Sequence, residues 1–240
     1  MEEFSRFVAL FGEEALKTLS KSKVAIIGLG GVGGYVVECL ARSGVGGFML
    51  VDDDVVKESN FNRQLIALHS TLGKYKAELW KERILDINPA AVVDARVKRF
   101  NITTEGEFDF STYDYVVDAI DSTLCKSSLI KKAKDSGCRV ITSCGTGCKT
   151  HPTYVVKDVF STHNDRLAAI LRRKLRKLGI TDVKAVYSEE QAHSFIEDEE
   201  GKTVPATFVY SPAKAGIEIA KEVIFDLIGY KPPEESEEEE

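Results

Sequence analysis

Residues 23–44 read KVAIIGLGGVGGYVVECLARSG, and this stretch decides the fold. KVAIIG is a short apolar run closed by a glycine. VGGYVVECLARSG has helical spacing and ends at Gly44. The following GFMLVD reads as a second buried strand, so strand, glycine-rich turn, helix and strand succeed one another within thirty-odd residues.

The same alternation continues outward. GKYKAELWKERILDINP places Ala77, Trp80, Ile84 and Ile87 on one helical face, and Asn88 before Pro89 stops it. VVDARV, YDYVVDAID and CRVITSC are further strand candidates, the last two separated by the helical TLCKSSLIKKAKDSG. Beyond Cys148, PTYVVKDV reads as a strand. DRLAAILRRKLRKLG reads as an amphipathic helix capped by Asp165, stopped at Gly179, with Leu167, Ile170, Leu171, Leu175 and Leu178 as its buried side. A last helix from about Pro212 to Gly229 is expected to return Ile217, Ala220, Ile224 and Leu227 to the core. Strands alternating with helices at this interval predict a Rossmann-like, doubly wound α/β fold with a mainly parallel sheet, an extended C-terminal portion and a crossover lid. One domain is expected over residues 1–230, with a polar, mobile crossover at 188–203 and a disordered acidic tail at 231–240.

Composition narrows the function classes. The net charge is −6, but the tail EESEEEE carries as many glutamates, so the body is close to neutral. There is no apolar leader, and the most apolar helical stretch carries Lys214, Glu218, Lys221, Glu222 and Asp226, which argues against a membrane span. Five cysteines without a secretion signal read as reduced thiols, and a cytoplasmic protein is expected.

The candidate chemistry sits at the ends of the predicted strands. GLGGVG supplies Gly28, Gly30, Gly31 and Gly33 between a strand and a helix, the setting in which a backbone turn and a helix N-terminus receive phosphate. Asp52 ends the next strand, where a carboxylate accepts from ribose hydroxyls, and Asp54 follows. That much suits NAD as well as ATP. SNFNRQ and GKYK then add Asn60, Arg63, Gln64 and Lys76, cations that a dinucleotide does not need and a reacting triphosphate does, which favours ATP. Lys74 and Lys81 read as ordinary surface charges. In VVDAIDST, Asp121 at a strand end can hold magnesium through oxygen, or Asp118, Asp121 and Ser122 can form a turn and helix cap; for Asp121 both roles are compatible.

In this order the elements resemble the ThiF-like adenylating superfamily, which includes the ubiquitin-activating enzymes and the bacterial thiamine and molybdopterin sulfur-carrier adenylyltransferases. The resemblance runs from about Arg6 to Gly229, with SNFNRQ, Lys76 and DAIDS its most specific parts. It implies that Asp52 holds ribose, that Asn60, Arg63 and Lys76 hold the triphosphate, and that Asp121 holds magnesium and the reacting phosphate. Arg63, Lys76 and Asp121 are then the catalytic set. A substrate carboxylate would attack the α-phosphate, leaving an acyl-adenylate. The resemblance also implies a homodimer, in which Arg6 is the one candidate in RFVALFGEEAL to reach a partner's site.

Two C-x-x-C pairs usual in the sulfur-carrier enzymes are missing, since Cys144 and Cys148 are separated by three residues with no second pair, so no zinc is expected. CGTGCKTHPT followed by KDVFSTHNDRLAAILRRKLRKLGI looks like the tRNA threonylcarbamoyladenosine dehydratases. It departs from their pattern at His151 before Pro152 and at Arg166 before Leu167. Independently, Arg166, Arg172, Arg173, Lys174, Arg176 and Lys177 concentrate positive charge on one helix, either a solvated face or a phosphate-backbone contact, for which tRNA is the candidate. Lys131, Lys132 and Lys134 extend that patch only if folding brings them alongside.

The leading expectation is an ATP-dependent tRNA dehydratase that adenylates the carboxylate of threonylcarbamoyladenosine and promotes its cyclisation, releasing AMP and pyrophosphate. The alternatives are an adenylyltransferase for the C-terminus of a ubiquitin-like sulfur carrier, and a nucleotide sensor without chemistry. A sulfur-carrier or redox partner is left open.

Overall fold

In the computed structural model, which describes residues 2–193, 195–197 and 203–233, the stretch 23–44 folds into β1 (Lys23–Ile27) and α3 (Gly33–Arg42), preceded by α1 (Ser5–Phe11) and α2 (Glu13–Lys21). The chain continues through β2 (Gly47–Val51), α4 (Lys76–Ile87), β3 (Val92–Arg96), β4 (Tyr115–Asp118), α5 (Thr123–Asp135) and β5 (Arg139–Ser143). Next come β6 (Tyr154–Asp158), α6 (Arg166–Lys177), β7 (Lys184–Ser188), a hairpin of β8 (Phe195–Glu197) and β9 (Thr203–Pro205), and α7 (Tyr210–Ile228). The seven-stranded sheet has the order β3-β2-β1-β4-β5-β7-β6, with every pairing parallel except β6 against β7.

The central parallel strands β1 and β2 are apolar on both sides because helices cover both faces. Val24 and Ile26 of β1, with Phe48 and Leu50 of β2, face α3, α4 and α7, while Ala25, Ile27, Met49 and Val51 face α5, α6 and the Phe100–Phe108–Phe110 cluster. Trp80 of α4 is fully buried, and a Cβ at Gly34 would lie 2.9 Å from its ring, so the glycine lets α3 and α4 approach. β1 turns outward to neighbours on both sides at the point where the winding reverses, and the glycine loop sits there.

Several expectations need correction. Of the expected α7 stripe, Ala220 and Ile224 are buried and Leu227 packs against the core, but Ile217 is 47% exposed, and Ala215, Gly216, Ile219 and Val223 complete the inward face. The cause is close packing, since a Cβ at Gly216 would meet the Val32 carbonyl oxygen at 2.5 Å and only small residues fit against α3. Leu178 is likewise exposed beyond the end of α6, whose buried positions are Ala168, Leu171 and Leu175. Residues 184–188, for which no element is predicted from the sequence, form β7, inserted between β5 and β6. The polar crossover contains the β8–β9 hairpin. Residues 194 and 198–202 of that crossover, and 234–240 of the tail, expected to be mobile and disordered, lie outside the described residues. Among the described residues no helix is long and apolar enough to cross a membrane.

Candidate active site

Three strand ends lie in one row. Ile27 pairs with Val51 on one side and with Asp118 on the other, so the glycine loop, Asp52 and the Asp118–Asp121 turn leave the sheet together. Gly28 N donates to Val51 O at 2.9 Å and Ala119 N to Ile27 O at 2.9 Å. Gly28 adopts φ +93°, and a Cβ there would meet Ala119 O at 2.7 Å. A Cβ at Gly33 would overlap the Gly28 carbonyl oxygen, so these two glycines are required by the turn itself. Gly31 packs against Pro212, 3.1 Å from its Cβ position. Gly30 differs: apart from its chain neighbours, the one described atom that an added Cβ would meet within 4 Å is Gln64 Nε2 at 3.8 Å, so open space lies over its backbone just before α3.

Asp52 has two tasks. Its Oδ2 accepts Leu29 N at 2.7 Å, which pins the glycine loop, and its Oδ1 accepts Asp54 N at 2.8 Å. Each oxygen retains a lone pair for a hydroxyl. Burial pushes the Asp52 carboxyl above the ordinary range, against the opposing charge of Lys76 and the two backbone donors. Lys76 is buried, with Nζ on Asp54 Oδ2 at 2.9 Å, and two of its three donors remain for a ligand. Although burial raises the Asp54 carboxyl, the Lys76 hydrogen bond and charge outweigh it and hold it below its ordinary value.

The SNFNRQ turn stands beside the loop. Asn60 is buried and its Oδ1 accepts Lys57 N at 3.1 Å, closing the turn. Arg63 Nη1 donates to Ser59 O at 2.7 Å and Asn62 Oδ1 at 2.9 Å, its Cγ lies 3.6 Å from the Gly31 Cβ position, and it makes no ion pair among the described residues. Burial lowers its pKa from the usual guanidinium value. Gln64 is buried and its Oε1 has no partner, an uncompensated polar group of the kind a bound molecule satisfies. Asp121 is exposed, with no hydrogen bond or ion pair among the described residues. Ser122 stands at the N-cap position of α5, yet its side chain makes no capping bond. The residues that hold this edge together thus leave open a backbone cradle, one arginine, two lysine donors and one free carboxylate. That set fits an anionic nucleotide with an oxygen-coordinated divalent cation.

Sequence reasoning passed over two buried ion pairs. Asp118 is fully buried with Lys126 Nζ at 3.0 Å and Thr142 Oγ1 at 2.6 Å, while its Oδ1 accepts Ile120 N at 3.2 Å, fixing the backbone that presents Asp121. Lys126 lies on the buried side of α5, just before Leu129 and Ile130, and a lysine in that position was the available signal. Asp165 accepts Ala168 N at 2.8 Å as the α6 cap and Gly145 N at 2.9 Å, with Lys149 Nζ 3.7 Å away and bonded to Ser188 O. This pair anchors the glycine-rich loop that follows β5. Burial pushes the Cys144 thiol in that loop up to about 12, which makes it a packing residue rather than a nucleophile.

The basic helix is not uniformly free. Arg172 Nη1 donates to Thr162 O at 2.8 Å, and the Arg176 guanidinium stands 5.3 Å from the Phe160 ring centre. Arg166, Arg173, Arg176 and Lys177 are exposed, Arg172 and Lys174 are half-buried, and none of the six cations makes an ion pair among the described residues. α5 does pack beside α6, but Lys131 is paired with Asp135 and Lys134 with Asp182.

The chain is similar over most of its length to known proteins. A Bacillus subtilis tRNA threonylcarbamoyladenosine dehydratase is 38% identical over 242 residues, covering 95% of each chain. Two crystal structures of the E. coli tRNA N6-threonylcarbamoyladenosine dehydratase superpose closely. The one in complex with AMP has a TM-score of 0.86 at 30% identity, and the one in complex with ATP a TM-score of 0.85 at 31% identity. Each covers 95% of this chain and 94% of its own. The family pattern spans residues 4–234, every element from α1 to the end of α7, and the chain belongs to the ThiF family.

Proposed function

We propose that this protein is an ATP-dependent dehydratase acting on threonylcarbamoyladenosine in tRNA. The observation that carries the ATP half is the open cradle over Gly30, beside an Arg63 that no described acid neutralises and a Lys76 with donors to spare. The similarity to dehydratases of that name, over nearly the full length of one of them, supports the substrate.

In this reading the phosphates lie on the Gly30 backbone and the α3 N-terminus, and the ribose hydroxyls donate to Asp52. Asp121 would hold magnesium, which supplies charge neutralisation on the phosphates when bound. The substrate carboxylate forms a bond to the α-phosphorus and the bond to the bridging oxygen breaks. Arg63 and Lys76 offset the charge that develops on the departing pyrophosphate. An internal nucleophile of the same substituent then attacks the acyl carbon, and AMP leaves with the former carboxylate oxygen, so the net change is loss of water. Because the nucleophile is already attached, ring closure is effectively unimolecular and positioning suffices. Asp118 and Lys126 supply positioning by fixing the turn that carries Asp121.

The exposed Arg166, Arg173 and Lys177 are the tRNA-facing cations of α6, whereas Arg172 holds the helix to the residue 159–162 turn. A homodimer and a cytoplasmic location belong to the same reading. Arg6 is exposed on α1 next to a Leu10 that is 74% exposed, a surface suited to a second copy. The test is AMP formation with Arg63→Ala and Asp121→Ala. Each is expected to abolish it at unchanged melting temperature, and normal turnover in either would remove the proposal.

A further inference from the structure

We propose that Phe208 and Tyr210 form a stacking platform for a nucleobase of the RNA, next to the reacting nucleoside. The inference rests on the RNA reading above and adds a contact of different chemistry from the basic helix. The two rings are stacked on each other, with centroids 5.8 Å apart and planes 19° from parallel, yet they are 44% and 45% exposed. Two near-parallel aromatics at a protein surface, each close to half exposed, leave ring face open to solvent, and every base offers a matching π-face.

The rings are held from behind. Lys214 Nζ donates to the Tyr210 hydroxyl at 3.2 Å, stands 5.3 Å from its ring centre, and donates to Pro152 O at 3.1 Å. The backbone on either side is also tied down: Thr207 O accepts Asn62 Nδ2 at 3.0 Å, and Ala206 O accepts Cys148 N at 2.6 Å. These ties set the place. Asn62 adjoins Arg63 of the proposed phosphate clamp, Pro212 packs on Gly31, and residues 145–152 form the loop after β5. The platform therefore stands between the nucleotide cradle and that loop, where a nucleotide neighbouring an adenylated one would be.

Charge favours RNA over a second copy of this chain as occupant. Lys214 borders the aromatics and is paired with no acid among the described residues, so the patch offers a base-stacking face with a cation for the adjoining phosphate. A second copy of this chain would have to bring an acid to Lys214 or bury that cation unpaired, whereas RNA brings a phosphate with every nucleotide.

The test is fluorescence anisotropy of an anticodon stem-loop RNA carrying threonylcarbamoyladenosine, titrated with wild type, Phe208→Ala and Phe208→Trp at several salt concentrations. Phe208→Ala is expected to weaken binding about five- to 150-fold, the range for one lost stacking contact. Phe208→Trp restores affinity, and the salt slope is the same in all three. Arg173→Ala on α6 instead lowers that slope by about one. ATP affinity, unchanged in Phe208→Ala, shows that the variant is folded. Wild-type affinity in Phe208→Ala, with wild type binding and dehydrating the RNA, overturns the platform and leaves the dehydratase reading standing. Failure of wild type to bind the RNA overturns both. A shift of Phe208→Ala to a smaller species in sedimentation gives the face to a second copy and overturns the platform.

Discussion

Alanine at Gly30 and alanine at Gly33 make opposite predictions about two glycines three residues apart. At Gly33 the new Cβ would overlap the Gly28 carbonyl oxygen and lie 3.0 Å from its carbon, and Gly28 cannot yield because it is pinned to Val51 and abuts Ala119. Overpacking backbone against backbone is expected to cost about 3 kcal/mol or more. For a domain of this size that lowers the melting temperature by roughly 6–12 °C. At Gly30 the backbone is not in the left-handed region and the nearest atom to a Cβ is 3.8 Å away, so the fold accepts alanine, with a gain of about 0.4–1 kcal/mol from the unfolded chain. The methyl occupies the space where a phosphate would meet the backbone. Losing one charge-assisted hydrogen bond of about 1.5–3 kcal/mol weakens ATP roughly ten- to 150-fold. Scanning calorimetry and an ATP titration on the two variants read both effects. Wild-type ATP affinity in a folded Gly30→Ala protein would refute the cradle, and with it the assignment of the loop to phosphate.

Two further variants probe the charges around the cradle. Lys126→Met leaves the fully buried Asp118 without its cation, an expected loss of about 3–5 kcal/mol that a denaturant titration measures; adding Asp118→Asn should recover part of it, and an unchanged midpoint in the single variant would discount the pair. The Asp52 carboxyl is raised by burial and held down by Lys76, so its ionised form is lost as pH falls through that raised pKa. Adenosine affinity, which reads the ribose contact alone, should therefore decline on the acid side. In Lys76→Met the decline should begin at higher pH, because removing the cation raises Asp52 further; a profile that does not move would separate Asp52 from ribose recognition.

The parts of this account that were legible in the sequence are those carried by short-range pattern. The run 23–27, the glycine loop and the helix to Arg42 follow from apolar spacing and punctuation, and the alternation after them implies the parallel sheet. Asp165 as the α6 cap is also a local signal, and its side chain bonds the backbone as expected. What escaped depended on neighbours distant in sequence. The strand at 184–188 is an unremarkable five-residue run until β5 and β6 leave a gap between them for it. That Gly216 faces α3 while Ile217 is exposed is set by close helix approach, which the apolar periodicity of α7 does not encode. Arg172 reads as one more surface cation, and only the turn at Thr162 turns it into a tether. At the candidate site the residue types were visible, but not that Asp52 also pins the glycine loop, or that Lys126 is held by Asp118 beneath Asp121.

The measurement that bears most directly on the proposed activity is mass spectrometry of nucleosides from threonylcarbamoyl-modified tRNA after incubation with the protein, ATP and magnesium, beside a reaction without ATP. The account predicts an ATP-dependent loss of one water from that nucleoside, with AMP formed in step. An unchanged nucleoside, in the presence of folded protein that binds both ATP and the tRNA, would contradict it.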